Sequence, residues 1–222
     1  MDPLLKVGLD AYRQWECRPY QRIGARAYRR STYDRTRGNE GADGSHFLYQ
    51  IADDFNVTLD VEGPGILYFA RYTHRHGSPW HFVVDGVDHV VKETSTRDPN
   101  HPVEASVFQP ETLFPNPLWT WSITKGADLM WVPIPFERSF LMAYSRTRYC
   151  TGSYVFHQYV KGARISQPIR SWDGKRLPTK KFWNSSTAQE RTSLLVRAGR
   201  ASAKLHEPSD RSADAHIRSV ID

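Results

Sequence analysis

Alternation is the first regularity along the chain. Asn56-Val57-Thr58-Leu59-Asp60-Val61 sets an apolar side chain at every second position, the period of a half-buried strand. Glu62-Gly63-Pro64-Gly65 interrupts it, and Ile66 to Tyr72 follows as a β-branched and aromatic run of strand length. Trp80 to Val84 and Val87 to Val91 flank Asp85-Gly86, a pair suited to the positive φ angles of a two-residue hairpin turn. Leu129 to Ile134 and Ser139 to Ser145 predict two more strands around Pro135-Phe136-Glu137-Arg138, and Tyr154 to Val160 closes the set. Thr94 to Pro117 is long and Pro-bearing and reads as a loop crossing one end of a sheet. A helical spacing occurs near the start, where Leu4, Leu5, Leu9 and Tyr12 share a face over Pro3–Trp15. Short strands with turn signals between them predict an all-β fold with few helices. The expected form is an antiparallel jelly-roll β-sandwich, because double-sheet closure manages strand edges.

Composition divides the chain the same way. Of the 28 aromatic residues, 20 lie between residues 46 and 160 and none beyond Trp183. The expected domains are an N-terminal segment over 1–27 with a short helix, a sandwich over 28–160, and an extension over 161–222. That extension is expected to be poorly packed and partly disordered, with one short helix over Thr192–Leu205. The net charge of +6 suggests nucleic acid until it is located. Residues 1–45 carry net +3, residues 46–160 net −4 and residues 161–222 net +7. The basicity belongs to the two ends, and the aromatic middle is acidic. No run of about 18 apolar residues is present, so no membrane span is expected. The start lacks a signal-peptide pattern, which predicts a cytoplasmic protein. Cys17 and Cys150 are too few for a disulfide framework or a four-ligand zinc site.

Four chemistries are open to these residues. In a strand, His74 and His76 would face one side and could reach a metal, with His157 as a third ligand, as in a cupin. No carboxylate follows until Asp85, so the plainer alternative is two histidines at a solvated strand end, and no metal or other cofactor is expected. Asp60, Glu62, Asp85, Asp88 and Glu137 are candidates for a glycosidase carboxylate pair, which needs an acid and a nucleophile or base about 5–9.5 Å apart. Asp85 is also explained by its turn and Asp60 by strand alternation. Trp80, Trp119, Trp121 and Trp131 could offer flat amphipathic faces to a sugar, with a packed core as the alternative. Arg26-Ala27-Tyr28-Arg29-Arg30 mixes basic and aromatic residues, but no nucleic-acid-binding module surrounds it, and no nucleic-acid partner is expected.

Five segments in order resemble a known family. They are Ser31-Thr32-Tyr33-Asp34-Arg35-Thr36-Arg37-Gly38-Asn39-Glu40-Gly41-Ala42-Asp43, then Val61-Glu62-Gly63-Pro64-Gly65-Ile66, the Asp85-Gly86 hairpin, Val132-Pro133-Ile134-Pro135-Phe136-Glu137-Arg138-Ser139, and the tyrosine-bearing strand to Tyr159. Over about Tyr28 to Tyr159 the chain is similar to glycoside hydrolase family 172, formerly a domain-of-unknown-function family. The resemblance implies jelly-roll domains, assembly into trimers or hexamers, and retaining hydrolysis or transfer of fructofuranosyl or arabinofuranosyl residues by two glutamates. Those glutamates lie in a second jelly-roll half, in motifs that Glu190 and Glu207 do not match. This chain by itself is therefore expected to be inactive. Arg37 replaces the first glycine of the family pattern, Glu40-Gly41-Ala42 changes the spacing to Asp43, and Ile134 replaces a methionine. Asp34, Asn39 and Trp80 are the expected substrate-binding residues, with a furanoside sugar as ligand and a homo-oligomer or a missing second half as partner. Asp34 and Asn39 could hydrogen-bond sugar hydroxyls from a glycine-bearing loop, or hold an Asx turn. A non-catalytic carbohydrate-binding or assembly module is the alternative function, and a cupin-like metalloprotein the weaker one.

Overall fold

The structure is a computed structural model, described here for residues 4–14, 16, 23–32, 46–53, 55–72, 78–93, 108–109, 120–121, 128–145 and 152–175. Its elements are α1 (Leu9–Arg13), β1 (Ala25–Ser31), β2 (Tyr49–Ala52), β3 (Phe55–Glu62), β4 (Gly65–Tyr72), β5 (Trp80–Val84), β6 (Val87–Glu93), β7 (Phe108–Gln109), β8 (Thr120–Trp121), β9 (Asp128–Met130), β10 (Ile134–Phe136), β11 (Ser139–Ser145) and β12 (Ser153–Tyr159). They form two antiparallel sheets packed as a sandwich, with almost no helix. The first sheet runs β1-β12-β4-β9-β8, with β10 also paired to β4. The second runs β2-β3-β11-β5-β6-β7. Among the described residues, no helix is long and apolar enough to cross a membrane.

The interior is aromatic. Tyr72 of the first sheet stacks on Trp80 of the second at 4.0 Å and 21°, and Trp80 stacks on Phe108 at 5.6 Å. Phe136 stacks on Phe140, and Phe82 meets Phe140 edge-on. Leu59, Leu67, Phe82, Phe136 and Phe140 are fully buried. Each such apolar side chain contributes about 1.5–3 kcal/mol relative to exposure. Polar tips are satisfied across the gap: the Tyr72 hydroxyl donates to Met142 Sδ at 3.3 Å, and Thr58 Oγ1 donates to the Tyr154 hydroxyl at 3.3 Å.

The Asp85-Gly86 turn forms as its sequence predicts, with φ of 51° and 90°. It joins β5 and β6 with Val84 opposite Val87. Other expectations change. The predicted strand over Leu129–Ile134 is two strands, β9 and β10, that pair with opposite ends of β4 and break at residues 131–133. Pro133 lies in that break and has no N–H for a ladder. The alternation of Asn56 to Val61 is not a simple alternation of burial, because Asn56, Val57, Thr58 and Leu59 are all buried. Val57 and Leu59 pair with successive residues Ala143 and Met142, so Thr58 is an extra residue, a β-bulge.

The helix predicted over Pro3–Trp15 shortens to Leu9–Arg13. Leu5 instead makes a parallel bridge to Ile165, with its N–H on the Arg164 carbonyl at 2.8 Å and its carbonyl taking the Ser166 N–H at 2.7 Å. Gly8, at φ 56°, turns the chain between bridge and helix. These two segments cover part of the outer face of the first sheet. Leu5, Val7, Ile66, Tyr68 and Tyr159 form a second small core there, flanked by Ile165 and Ile169. Residues 161–172, read from the sequence as the start of the extension, thus pack on the sandwich, and the Trp172 N–H bonds the Pro135 carbonyl at 2.9 Å. The basic stretch beyond residue 175, with the helix expected over Thr192–Leu205, lies outside the described residues, as does Thr94 to Pro117 apart from β7.

Candidate functional site

A bulge builds an aromatic groove. In the β4–β12 ladder Leu67 faces Phe156 and Phe69 faces Val155, so Tyr68 is an extra residue. The bulge turns both Tyr68 and Phe69 to the outer face, where regular alternation would send one inward. Beside them Trp131 emerges from the β9–β10 break, and His157 projects from β12. Tyr12 of α1 closes one wall: its hydroxyl is 2.8 Å from the Tyr68 carbonyl and 3.0 Å from the Trp131 carbonyl. The resulting cavity has a volume of about 260 Å³ and is lined by Tyr12, Tyr68, Phe69, Trp131, Val155 and His157.

The rings are held at fixed angles. Phe69 and Trp131 lie 5.9 Å apart at 48°, Tyr68 and His157 4.8 Å apart at 57°, and Tyr12 meets Tyr68 edge-on at 5.8 Å. The Tyr68 hydroxyl lies 2.7 Å from the Gly8 N–H and 3.2 Å from the Tyr159 hydroxyl, which fixes its ring from behind. Phe69, Trp131 and His157 remain half-exposed. Such a surface can stack on an apolar ring face.

A second cavity, of about 360 Å³, lies between Val7–Leu9, Val132–Pro135 and Gln167–Trp172. It is larger, and two of its polar side chains, Gln167 and Ser171, are engaged. Gln167 Nε2 donates to the Val7 carbonyl at 2.9 Å, and Ser171 Oγ donates to Asp85. These bonds fasten the covering segments to the sandwich.

Among the expected site residues, Trp80 is corrected. It has 0% exposure, packed between Tyr72 and Phe108, and offers no face to a sugar. Its alternation on β5 directs it inward, and the core needed its size. Of the four tryptophans considered, Trp131 is the one whose side chain is described at the surface; the side chains of Trp119 and Trp121 lie outside the described set. Asp34 and Asn39 lie outside the described residues, as do His74 and His76. Among the described residues no group of three or more His, Cys, Asp or Glu is arranged to hold a metal. His157 stands in the groove.

The candidate carboxylates have structural partners or stand apart. Asp85 caps the turn before β11: Oδ1 accepts the N–H groups of Arg138 at 2.6 Å and Ser139 at 2.8 Å, and Oδ2 accepts that of Glu137 at 2.9 Å and the Ser171 hydroxyl. Burial pushes its carboxyl up, but these four hydrogen bonds outweigh burial and hold it below its ordinary value. Glu137 accepts the Ser171 N–H at 3.1 Å. Asp60 accepts the Tyr49 hydroxyl at 2.5 Å, a contact that raises the Tyr49 pKa. Asp88 pairs with His81 at 2.7 Å, and Glu62 is exposed at the end of β3. None of the five lines the aromatic groove. Strand alternation also splits the Arg26–Arg30 run: Tyr28, still exposed, stacks on Phe156 and Arg30 reaches the Thr58 carbonyl, while Arg29 turns to the other face and Ser153.

Sequence reasoning missed Tyr12, Tyr68 and Phe69. The adjacent aromatics Tyr68-Phe69 were visible, but strand alternation assigns them to opposite faces, and only pairing with β12 reveals the bulge. Fold and site together define a two-sheet antiparallel β-sandwich with an aromatic groove on one outer face. No protein-family model, no curated protein and no solved structure matches the chain.

Proposed function

We propose that this chain is a non-catalytic, sugar-binding β-sandwich of the kind found in the first half of glycoside hydrolase family 172, closed as a jelly roll. The aromatic groove carries the reading: Phe69 and Trp131 are half-exposed and set at a fixed angle, with Tyr12 and His157 at the groove's walls. Two further observations support it. The carboxylates suggested as a glycosidase pair are engaged in turns and cross-strand contacts or stand apart, away from the groove. The Gly63-Pro64-Gly65 and Pro133-to-Phe136 segments of the family resemblance meet in the fold, with Phe136 opposite Gly65 in the β10–β4 ladder. On this reading the ligand is a furanoside, and the chemistry of the family resides in a second half that this chain pairs with, or is replaced by further copies of the same sandwich.

Titration with arabinofuranosyl and fructofuranosyl oligosaccharides tests the proposal through tryptophan fluorescence and sugar-release assays. Saturable quenching without released monosaccharide is expected, and Trp131→Ala should abolish it. Turnover by the chain alone would overturn the non-catalytic assignment. Absence of binding at millimolar sugar would overturn the assignment to sugars.

A further inference from the structure

The groove continues into a basic rim. Arg29 on β1 lies directly opposite Val155, and Val155 lies opposite Phe69 on β4. One step along the same face, Ser153 lies opposite Arg71. Residues directly opposed in neighbouring strands have Cβ atoms about 4.5–5.5 Å apart, so these side chains share one patch. Arg29 Nε donates to Ser153 Oγ at 3.2 Å, which draws its guanidinium toward Arg71. Ser153 itself is buried, at 7% exposure, with Ser31 opposite it on β1 and Arg71 opposite it on β4. Among the described residues no carboxylate pairs with Arg29 or Arg71. Arg71 is half-buried beside the Phe69 ring. Two guanidinium groups that no described carboxylate neutralises, next to a stacking platform, suit a ring that carries negative charge.

Resting on the sugar-binding reading, we infer that the groove selects an anionic sugar, its ring on Phe69 and Trp131 and its carboxylate or phosphate between Arg29 and Arg71. Planar guanidinium groups match both anions with paired hydrogen bonds, which a neutral furanoside cannot return. Only the ring stacking would remain for the neutral sugar.

Calorimetric titration of the full chain with three ligands tests this: a neutral arabinofuranosyl oligosaccharide, the same oligosaccharide oxidised at its terminal 5-hydroxyl to a carboxylate, and the same oligosaccharide phosphorylated at that hydroxyl. One of the anionic sugars should bind about tenfold tighter than the neutral one, the scale of a charge-assisted hydrogen bond. Raising the salt should reduce that preference, and which arm wins identifies carboxylate or phosphate. Arg29→Gln and Arg71→Gln should each remove the preference for the anionic sugar. Arg71→Lys should retain part of it. If a glutamine variant melts early, the comparison of neutral and anionic sugars on the unaltered chain still decides. Equal affinity for neutral and anionic sugars would overturn this inference and leave the sugar-binding proposal standing. Inorganic phosphate or acetate binding as tightly as the sugars would overturn it as well, reducing the site to an ion site. Failure of every sugar to bind would overturn both.

Discussion

At the scale of single residues, Asp85 shows how one side chain can serve two elements. At φ 51° it occupies the first position of a hairpin turn, and its carboxylate gathers three backbone N–H groups and a hydroxyl from the turn before β11 and the segment near Trp172. Asn also tolerates that backbone, but its amide NH2 would replace an acceptor and point a donor at a donor. Asp85→Asn should therefore lose about 1–2 kcal/mol at neutral pH. The sign with pH follows from linkage. A carboxyl held below its ordinary 3.8 in the fold stabilises fully above that value, and the stabilisation fades as pH falls through the lower folded value. Thermal melts at decreasing pH should show the two proteins converging in strong acid; a constant gap would mean the cap acts without its charge. Gly65 makes a simpler case. A Cβ there would lie against the Phe136 ring and 2.8 Å from the His157 carbonyl oxygen. Gly65→Ala should cost about 1–3 kcal/mol, measured by denaturant titration.

At the scale of elements, what could be read depended on how local the cause was. The β5–β6 hairpin was legible because Asp85-Gly86 carries its own turn geometry between two apolar runs. β1 and β2 were not. β1 has four successive exposed residues and β2 is exposed throughout, so neither shows alternation. Both lie at sheet edges, where one side lacks a neighbour. The bulges at Thr58 and Tyr68 were equally hidden, since a bulge is a property of two paired strands. α1 is short because Leu5 found a partner about 160 residues away, a contact no local spacing encodes. The Tyr12 hydroxyl then ties α1 to β4 and to the β9–β10 break. Tyr12→Phe should lower the midpoint of thermal unfolding by about 2–4 °C, the shift expected for about 1 kcal/mol in a protein of this size. It should also weaken sugar binding, because the wall of the groove loosens; an unchanged affinity would place Tyr12 outside the site.

For the whole molecule, charge and core tell different stories. The net +6 collects mostly beyond residue 160, while the middle of the chain, which supplies most of the sandwich, is acidic. The basic feature invoked in the proposed anionic-sugar site is Arg29 with Arg71, 42 positions apart in the chain and placed by strand pairing on either side of β12. The proposed relationship to a two-half family carries an expectation at this scale. Light scattering of the purified chain should give a mass above that of one copy, falling toward one copy on dilution. A strictly monomeric chain at all concentrations would count against assembly.

The sequence alone determined the class of fold and the positions of most central strands. Their causes are local: apolar alternation, β-branched and aromatic runs, and turn residues with defined φ preferences. It also supplied the tryptophans and carboxylates from which a site could be made. Tertiary structure decided which of them could act. Trp80 was taken into the core because the space between the sheets required a large ring beside Tyr72. Trp131 was left at the surface because its strand breaks there. Tyr68 and Phe69 came to one face through a bulge, and Arg29 and Arg71 came to flank β12 through two strand pairings. Each outcome depends on the register between segments distant in sequence, and register is set only when the sheets close on a shared core.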